Sequence, residues 1–111
     1  MKQKKLVDKS NLGAYLLPGR ITNPNDGIYQ AIKSEELGLG TLWLSERWGN
    51  KDLGVIFGAI TQVAPSSYIA AGTTHFLTRH PVVLASMAMT LQSLSNEKFI
   101  LGIGRGVAEM F

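Results

Sequence analysis

Three stretches of this 111-residue chain carry the side chains able to do chemistry. The first is Ser45-Glu46-Arg47-Trp48-Gly49-Asn50-Lys51-Asp52, where Glu46 offers a carboxylate that can accept hydrogen bonds or exchange a proton. The plainer alternative is a solvated loop in which Glu46 pairs with Arg47 or Lys51. The second runs from Gly72 through Thr73, Thr74 and His75 to Arg79-His80-Pro81. An imidazole titrates near neutral pH, so His75 can donate to a carbonyl or move a proton; alternatively it packs and bonds to main chain. Gly72 removes side-chain bulk where a flat ligand could approach the backbone. Arg79-His80-Pro81 predicts a helix start, because the residue before a proline is held extended.

The third stretch is Gly102-Ile103-Gly104-Arg105-Gly106. Its G-x-G-x-G spacing lacks the later glycine of the dinucleotide fingerprint, and it follows a fourth strand rather than a first, so it is not a Rossmann phosphate loop. Glycines here let a planar ring come near the main chain, and Arg105 offers stacking or anion pairing. A simple tight turn explains them equally well.

Other chemistries find no support. There is no cysteine, which removes disulfides, thiolate metal sites and a cysteine nucleophile. Neither a G-x-S-x-G elbow nor an H-E-x-x-H pair is present. His75 and His80, five apart in a loop, are a poor metal pair, and no metal is expected. The net charge of +3 leans on Lys2, Lys4 and Lys5, while Arg20, Arg47, Arg79 and Arg105 stand singly, so nucleic acid is not an expected partner. No apolar run approaches the roughly 20 residues of a membrane span, and no apolar stretch follows the basic start as in a secretory signal. A cytoplasmic protein acting on a small-molecule substrate is the expectation.

The elements that must position these stretches follow from the apolar pattern. Leu12–Leu17, Thr41–Ser45, Ser67–Thr73 and Phe99–Gly104 are apolar without alternation, as in strands covered on both faces. Between them lie three helical patterns. One follows Asn23-Pro24-Asn25-Asp26, with Ile28, Ala31, Ile32 and Glu35 at helical spacing up to Gly38. The next is capped by Asp52, with Val55, Ile56, Ala59, Ile60 and Val63 expected inside and Pro65 as a stop. The last opens at Pro81, carries the stripe Leu84, Met87, Ala88, Leu91 and Leu94, and ends at Asn96-Glu97. Regular β-α alternation predicts an α/β fold with parallel strands and right-handed crossovers. Four such units are half of a (β/α)8 TIM barrel, which takes about 250 residues. The expected organisation is a basic tail over residues 1–10 and a partial barrel domain over 11–111. A half-barrel has two open sheet edges, which favours a homo-oligomer.

Taken in order, these segments resemble one family, the luciferase-like oxidoreductases. Glu36-Leu37-Gly38-Leu39-Gly40-Thr41-Leu42-Trp43-Leu44-Ser45-Glu46-Arg47-Trp48 is similar to the family's E-x-G-F-x-x-x-W-x-x-D/E-H stretch. Ala71 to His75, followed by Thr78-Arg79-His80-Pro81, resembles its third strand and R-H-P turn. Lys98 to Gly106 resembles its R-F-x-L-G-L-G-x-G strand. Arg47-Trp48, Lys51-Asp52 and Thr74-His75 look most like the branch that uses coenzyme F420, a deazaflavin. The resemblance implies hydride transfer between the deazaflavin and an organic substrate, with FMN in a monooxygenase as the alternative. A non-catalytic half-barrel is a further alternative. The resemblance implies catalytic roles for Glu46 and His75, and a cofactor cradle of Glu46, Thr74, His75, Gly104, Arg105 and Gly106. It also implies a non-prolyl cis peptide behind the ring, matched here to the Thr74-His75 bond. The family's sugar-phosphate dehydrogenases have Asp-His where this chain has Glu46-Arg47, and a glutamate at Val107. Their acid–base mechanism does not transfer.

Overall fold

A computed structural model describes residues 7–106. Val107, and all but the last four residues of the expected basic tail, lie outside the described residues. Lys9–Asn11 form a single 3-10 turn, capped by the Asp8 carboxylate, which accepts from Ser10 N at 3.0 Å.

The elements alternate as the apolar pattern predicts. They are β1 (Gly13–Tyr15), α1 (Asn25–Leu37), β2 (Thr41–Leu44), α2 (Leu53–Ile60), β3 (Tyr68–Ala71), β4 (Thr74–His75), α3 (Pro81–Leu94), β5 (Phe99–Ile100) and β6 (Ile103–Gly104). The main sheet has the order β1-β2-β3-β5, and each of its pairings is parallel. Adjacent parallel strands in chain order, joined by helical crossovers, are the first units of a β/α barrel; within the described residues the barrel is not closed.

Strand lengths depart from expectation. β1 is confined to Gly13–Tyr15, because Leu17 takes a positive φ of 48° and turns the chain away. The third and fourth strands each break in two. Beyond Ala71 and Ile100 their ends re-pair as a separate parallel ladder, Thr74 against Ile103 and His75 against Gly104. The residues expected to form a loop after the third strand therefore include a strand.

Alternation within the strands sorts the side chains. Leu16, Leu42, Leu44, Ile69, Ala71 and Phe99 point to the helices and meet Ala31, Leu53, Ile56, Phe57, Ile60 and Leu91 in one core. Phe57 and Phe99 cross edge to face with centroids 6.0 Å apart. The opposite face carries Tyr15, Trp43, Tyr68 and Ile100, all exposed. In a closed barrel that face is the interior.

The helix faces correct three expectations. In α2, Leu53, Ile56, Phe57 and Ile60 are buried, whereas Val55 is 72% exposed and Ala59 also faces outward. Ile56 and Ile60 are inside as expected, while Leu53 and Phe57 rather than Val55 and Ala59 complete the stripe, because α2 packs through its 53, 56, 57, 60 face. In α3, Leu84 and Leu91 are buried and Met87 and Ala88 half-buried, but Leu94 is exposed in the last turn. In α1 the packing face is Gly27, Ala31 and Ser34, leaving Ile32 exposed. A Cβ on Gly27 would lie 2.6 Å from Leu17 Cδ1, so the helix approaches the segment after β1 through a residue without a side chain.

Helix ends follow local chemistry. Asp52 caps α2, its carboxylate accepting from Val55 N at 3.0 Å. Gly38 closes α1 in the left-handed region at φ 75°. The Asn23 side chain accepts from Asn25 N at 3.0 Å and its C=O from Asp26 N at 3.1 Å, while the position before the helix is Pro24, with no side-chain cap. At α3, His80 is extended before Pro81, as predicted, and its Nδ1 accepts from Val82 N at 3.1 Å.

Candidate functional site

The three chemistry-bearing stretches meet at the carboxyl ends of the strands, where sites form in this architecture. Glu46 is the centre of the cluster. Two positions beyond Leu44, it falls on the helix side of the sheet and is 2% exposed. Its backbone N–H donates to Thr73 O at 2.9 Å. Its Oε1 accepts from Leu53 N, in the first turn of α2, at 2.7 Å. Its Oε2 accepts from Thr74 Oγ1 at 2.7 Å and from Arg79 Nε and Nη2 at 3.2 and 3.0 Å. A buried carboxylate requires this much compensation.

The ion-pair partner is therefore Arg79, not Arg47 or Lys51 as expected. Arg79 also reaches Asp52 Oδ1 at 3.3 Å and lies over the Trp48 ring, 5.0 Å from its centroid. Sequence spacing could not show this, because 33 residues separate the partners and only the α3 approach brings them together. The one signal available was the R-H-P turn, which assigned Arg79 to the helix start. The indole Nε1 of Trp48 is buried and has no hydrogen-bond partner among the described residues.

Lys51 goes elsewhere. It is 2% exposed, and its ammonium donates to Leu17 O at 2.7 Å. Burial pushes its pKa down; the Arg47 charge adds to that, and Glu46 opposes it. Beside it the Asn50 amide brackets Ile21, accepting from its N–H and donating to its C=O, each at 2.7 Å. Together they fasten the loop after β2 to the loop after β1.

Thr74 and His75 are both buried on β4. Register places His75 beside Gly104, and Thr74 N and Phe76 N donate to Gly102 O and Gly104 O at 3.0 and 3.2 Å. Glu46, Thr74, His75 and Gly104 are thus brought together. Arg105 is exposed and Gly106 half-buried just beyond β6, with Gly106 at φ 76°. The cis peptide is Gly72-Thr73, two residues before the expected Thr74-His75 bond.

The glycines have packing reasons of their own. A Cβ on Gly102 would collide with Ala71 O, and one on Gly104 would sit 2.8 Å from Thr73 Oγ1. The space above Gly72 is held by Trp43, whose Cε3 lies 3.0 Å from the Cβ position, and the same indole covers Gly13. Trp43 lies on the inner face, as does Tyr15, whose hydroxyl donates to Ser45 Oγ. Trp43 and the Tyr15–Ser45 hydroxyl pair were not singled out from sequence, since only strand parity shows which residues face inward. Among the described residues no group of three or more His, Asp or Glu side chains is placed to hold a metal ion, and no helix is long and apolar enough to cross a membrane.

Comparison with known proteins agrees with this arrangement. Among solved structures, the coenzyme F420 dependent tetrahydromethanopterin reductase from Methanopyrus kandleri superposes with a TM-score of 0.76 at 28% identity, covering 90% of this chain and 28% of that one. The FMN complex of the oxygenating constituent of 3,6-diketocamphane monooxygenase from Pseudomonas putida gives a TM-score of 0.75 at 21% identity, over 86% of this chain and 30% of the other. A 5,10-methylenetetrahydromethanopterin reductase of Methanolobus tindarius is 26% identical over 92 residues, which are 79% of this chain and 28% of the relative. The chain spans under a third of the length of each of these three proteins. The luciferase-like monooxygenase family matches residues 9–111, and the chain belongs to that family.

Proposed function

We propose that this chain forms part of an oxidoreductase that transfers hydride between coenzyme F420 and an organic substrate. The observation that carries this reading is the rim at the carboxyl ends of the strands. There β4 and β6 run side by side, and the packing of Gly72 under Trp43, of Gly102 on Ala71 O and of Gly104 on Thr73 draws their main chains close together at the mouth. A rim of close-packed main chain with Gly106 just beyond it fits a flat tricyclic ring. The two reductases named above, at 28% and 26% identity, favour a deazaflavin over FMN.

In this reading Thr74, His75, Gly104, Arg105 and Gly106 hold the ring, and His75 is the group suited to moving a proton at the substrate. Trp43 forms the inner floor. The Tyr15–Ser45 pair presents hydroxyls to whatever occupies the mouth. Glu46 acts from behind the wall, since its carboxylate oxygens accept from Leu53, Thr74 and Arg79. The bound deazaflavin would supply a two-electron hydride donor or acceptor at its C5 carbon. The complete protein is expected to be a homo-oligomer that works on a small molecule in the cytoplasm.

The test is titration of the full-length protein with coenzyme F420 and, separately, with FMN, followed by absorbance and fluorescence. Saturable binding of F420 at least tenfold tighter than FMN is expected. Tighter FMN binding would move the chain to the flavin monooxygenases of the same family, and binding of neither would remove the oxidoreductase reading.

A further inference from the structure

We infer that Arg79 is a positioning residue, which acts through Glu46 to set the Thr74–His75 wall of the site. The inference rests on the oxidoreductase reading for its functional consequence and on geometry alone for the latch.

Four segments converge on one carboxylate. Glu46 follows β2, Leu53 opens α2, Thr74 belongs to β4, and Arg79 precedes α3. The Glu46 carboxylate is the acceptor shared by the other three, and the Glu46 N–Thr73 O and Arg79–Asp52 bonds reinforce the same junction. Thr74 is fully buried, and Glu46 Oε2 is the acceptor for its hydroxyl. The same Oε2 receives both Arg79 nitrogens, so the guanidinium fixes where that oxygen stands. Arg79 is fixed in turn by Asp52 Oδ1 and by the Trp48 ring beneath it.

Position explains why this group serves the site without entering it. Glu46 lies on the helix side of the sheet and the mouth lies on the other. Thr74 is the link, because its side chain meets Glu46 while its main chain pairs with Ile103 beside Gly104. A shift of the carboxylate displaces the β4–β6 ladder that borders the mouth. In metal sites, partners that orient a ligating side chain are worth about 10–100-fold in affinity, which sets the scale for such an indirect effect.

The experiment compares Arg79→Gln, Glu46→Gln, the double variant, Arg79→Lys and Thr74→Val in the full-length protein. Thr74→Val keeps the ion pair and removes only the link to the wall, so it serves if the charge variants fold poorly. Two quantities are measured: exchange of the Thr74 and Phe76 amides against Ile69 N as an internal control, and affinity for coenzyme F420 and FMN.

We expect Thr74 and Phe76 to exchange at least tenfold faster in Arg79→Gln and Thr74→Val, with Ile69 unchanged. Ligand affinity should fall about tenfold in each single variant, no further in the double, and recover in part in Arg79→Lys. Unchanged exchange at Thr74 and Phe76 in the folded variants overturns the latch, as do additive affinity losses in the double variant. If the unsubstituted protein binds neither ligand, the oxidoreductase reading fails, and the exchange result alone decides the latch.

Discussion

The Arg79 guanidinium lies between the Glu46 carboxylate, 3.0 Å from Nη2, and the Trp48 ring, 5.0 Å from Cζ to the centroid. The side chain of Arg79 is 11% exposed and that of Glu46 0%, so the pair is nearly removed from water. Removing one partner strands the other charge. Arg79→Ala should therefore cost about 3–5 kcal/mol of stability, more than an exposed pair such as Lys33–Glu36, expected to be worth under about 1 kcal/mol. Denaturant midpoints of Arg79→Ala and Lys33→Ala decide this; equal costs would show that the buried pair is screened after all.

Leu91 and Leu94 stand three apart on α3 and face different surroundings, at 2% and 44% exposure. Leu91→Ala opens space beside the core and should destabilise by about 2–5 kcal/mol. Leu94→Ala should stay within about 0.5 kcal/mol. Thermal or urea unfolding of the two variants separates them, and a large loss at Leu94 would mean that another surface covers it.

Gly102 meets Ala71 O where any Cβ would go, and a backbone oxygen cannot swing aside as a side chain can. Gly102→Ala should cost about 1–3 kcal/mol or more, because the third and fourth strands must part just before β4 and β6 pair. A variant with unchanged stability would show that the strand ends separate freely.

Lys51 makes stability depend on pH in a defined direction. Burial lowers its folded pKa below the ordinary 10.5, so between the two values the unfolded chain binds a proton that the folded chain has released. Stability then rises with pH across that window. Lys51→Met removes this rise. The stability difference between unsubstituted protein and variant should therefore move toward the unsubstituted protein as pH rises toward 10.5. A flat difference would show that burial leaves the Lys51 ammonium unperturbed, and a falling one that folding favours its charged form.

The sequence by itself determined the alternation of strands and helices, because apolar runs, caps and breakers act over a few residues. Asp52, Gly38 and Pro81 each work within one helical turn, and each stands where its chemistry predicts. Parallel order followed too, since short crossovers leave little choice of handedness or neighbour. Within the site, the neighbourhood of Glu46, Thr74, His75 and Gly104 was legible because strand ends in this architecture collect at one mouth. What only the tertiary structure decided is which face each residue takes and which distant partner it finds. Glu46 differs from Ser45 by one step of strand parity, and that step sends it to the helix layer and Ser45 inward. Arg79 rather than Lys51 reaches Glu46 because the approach of α3 carries it there, and that approach is set by packing of Leu84 and Leu91. The re-pairing of Thr74–His75 with Ile103–Gly104 likewise depends on two strands bending together beyond Ala71, which no local pattern encodes.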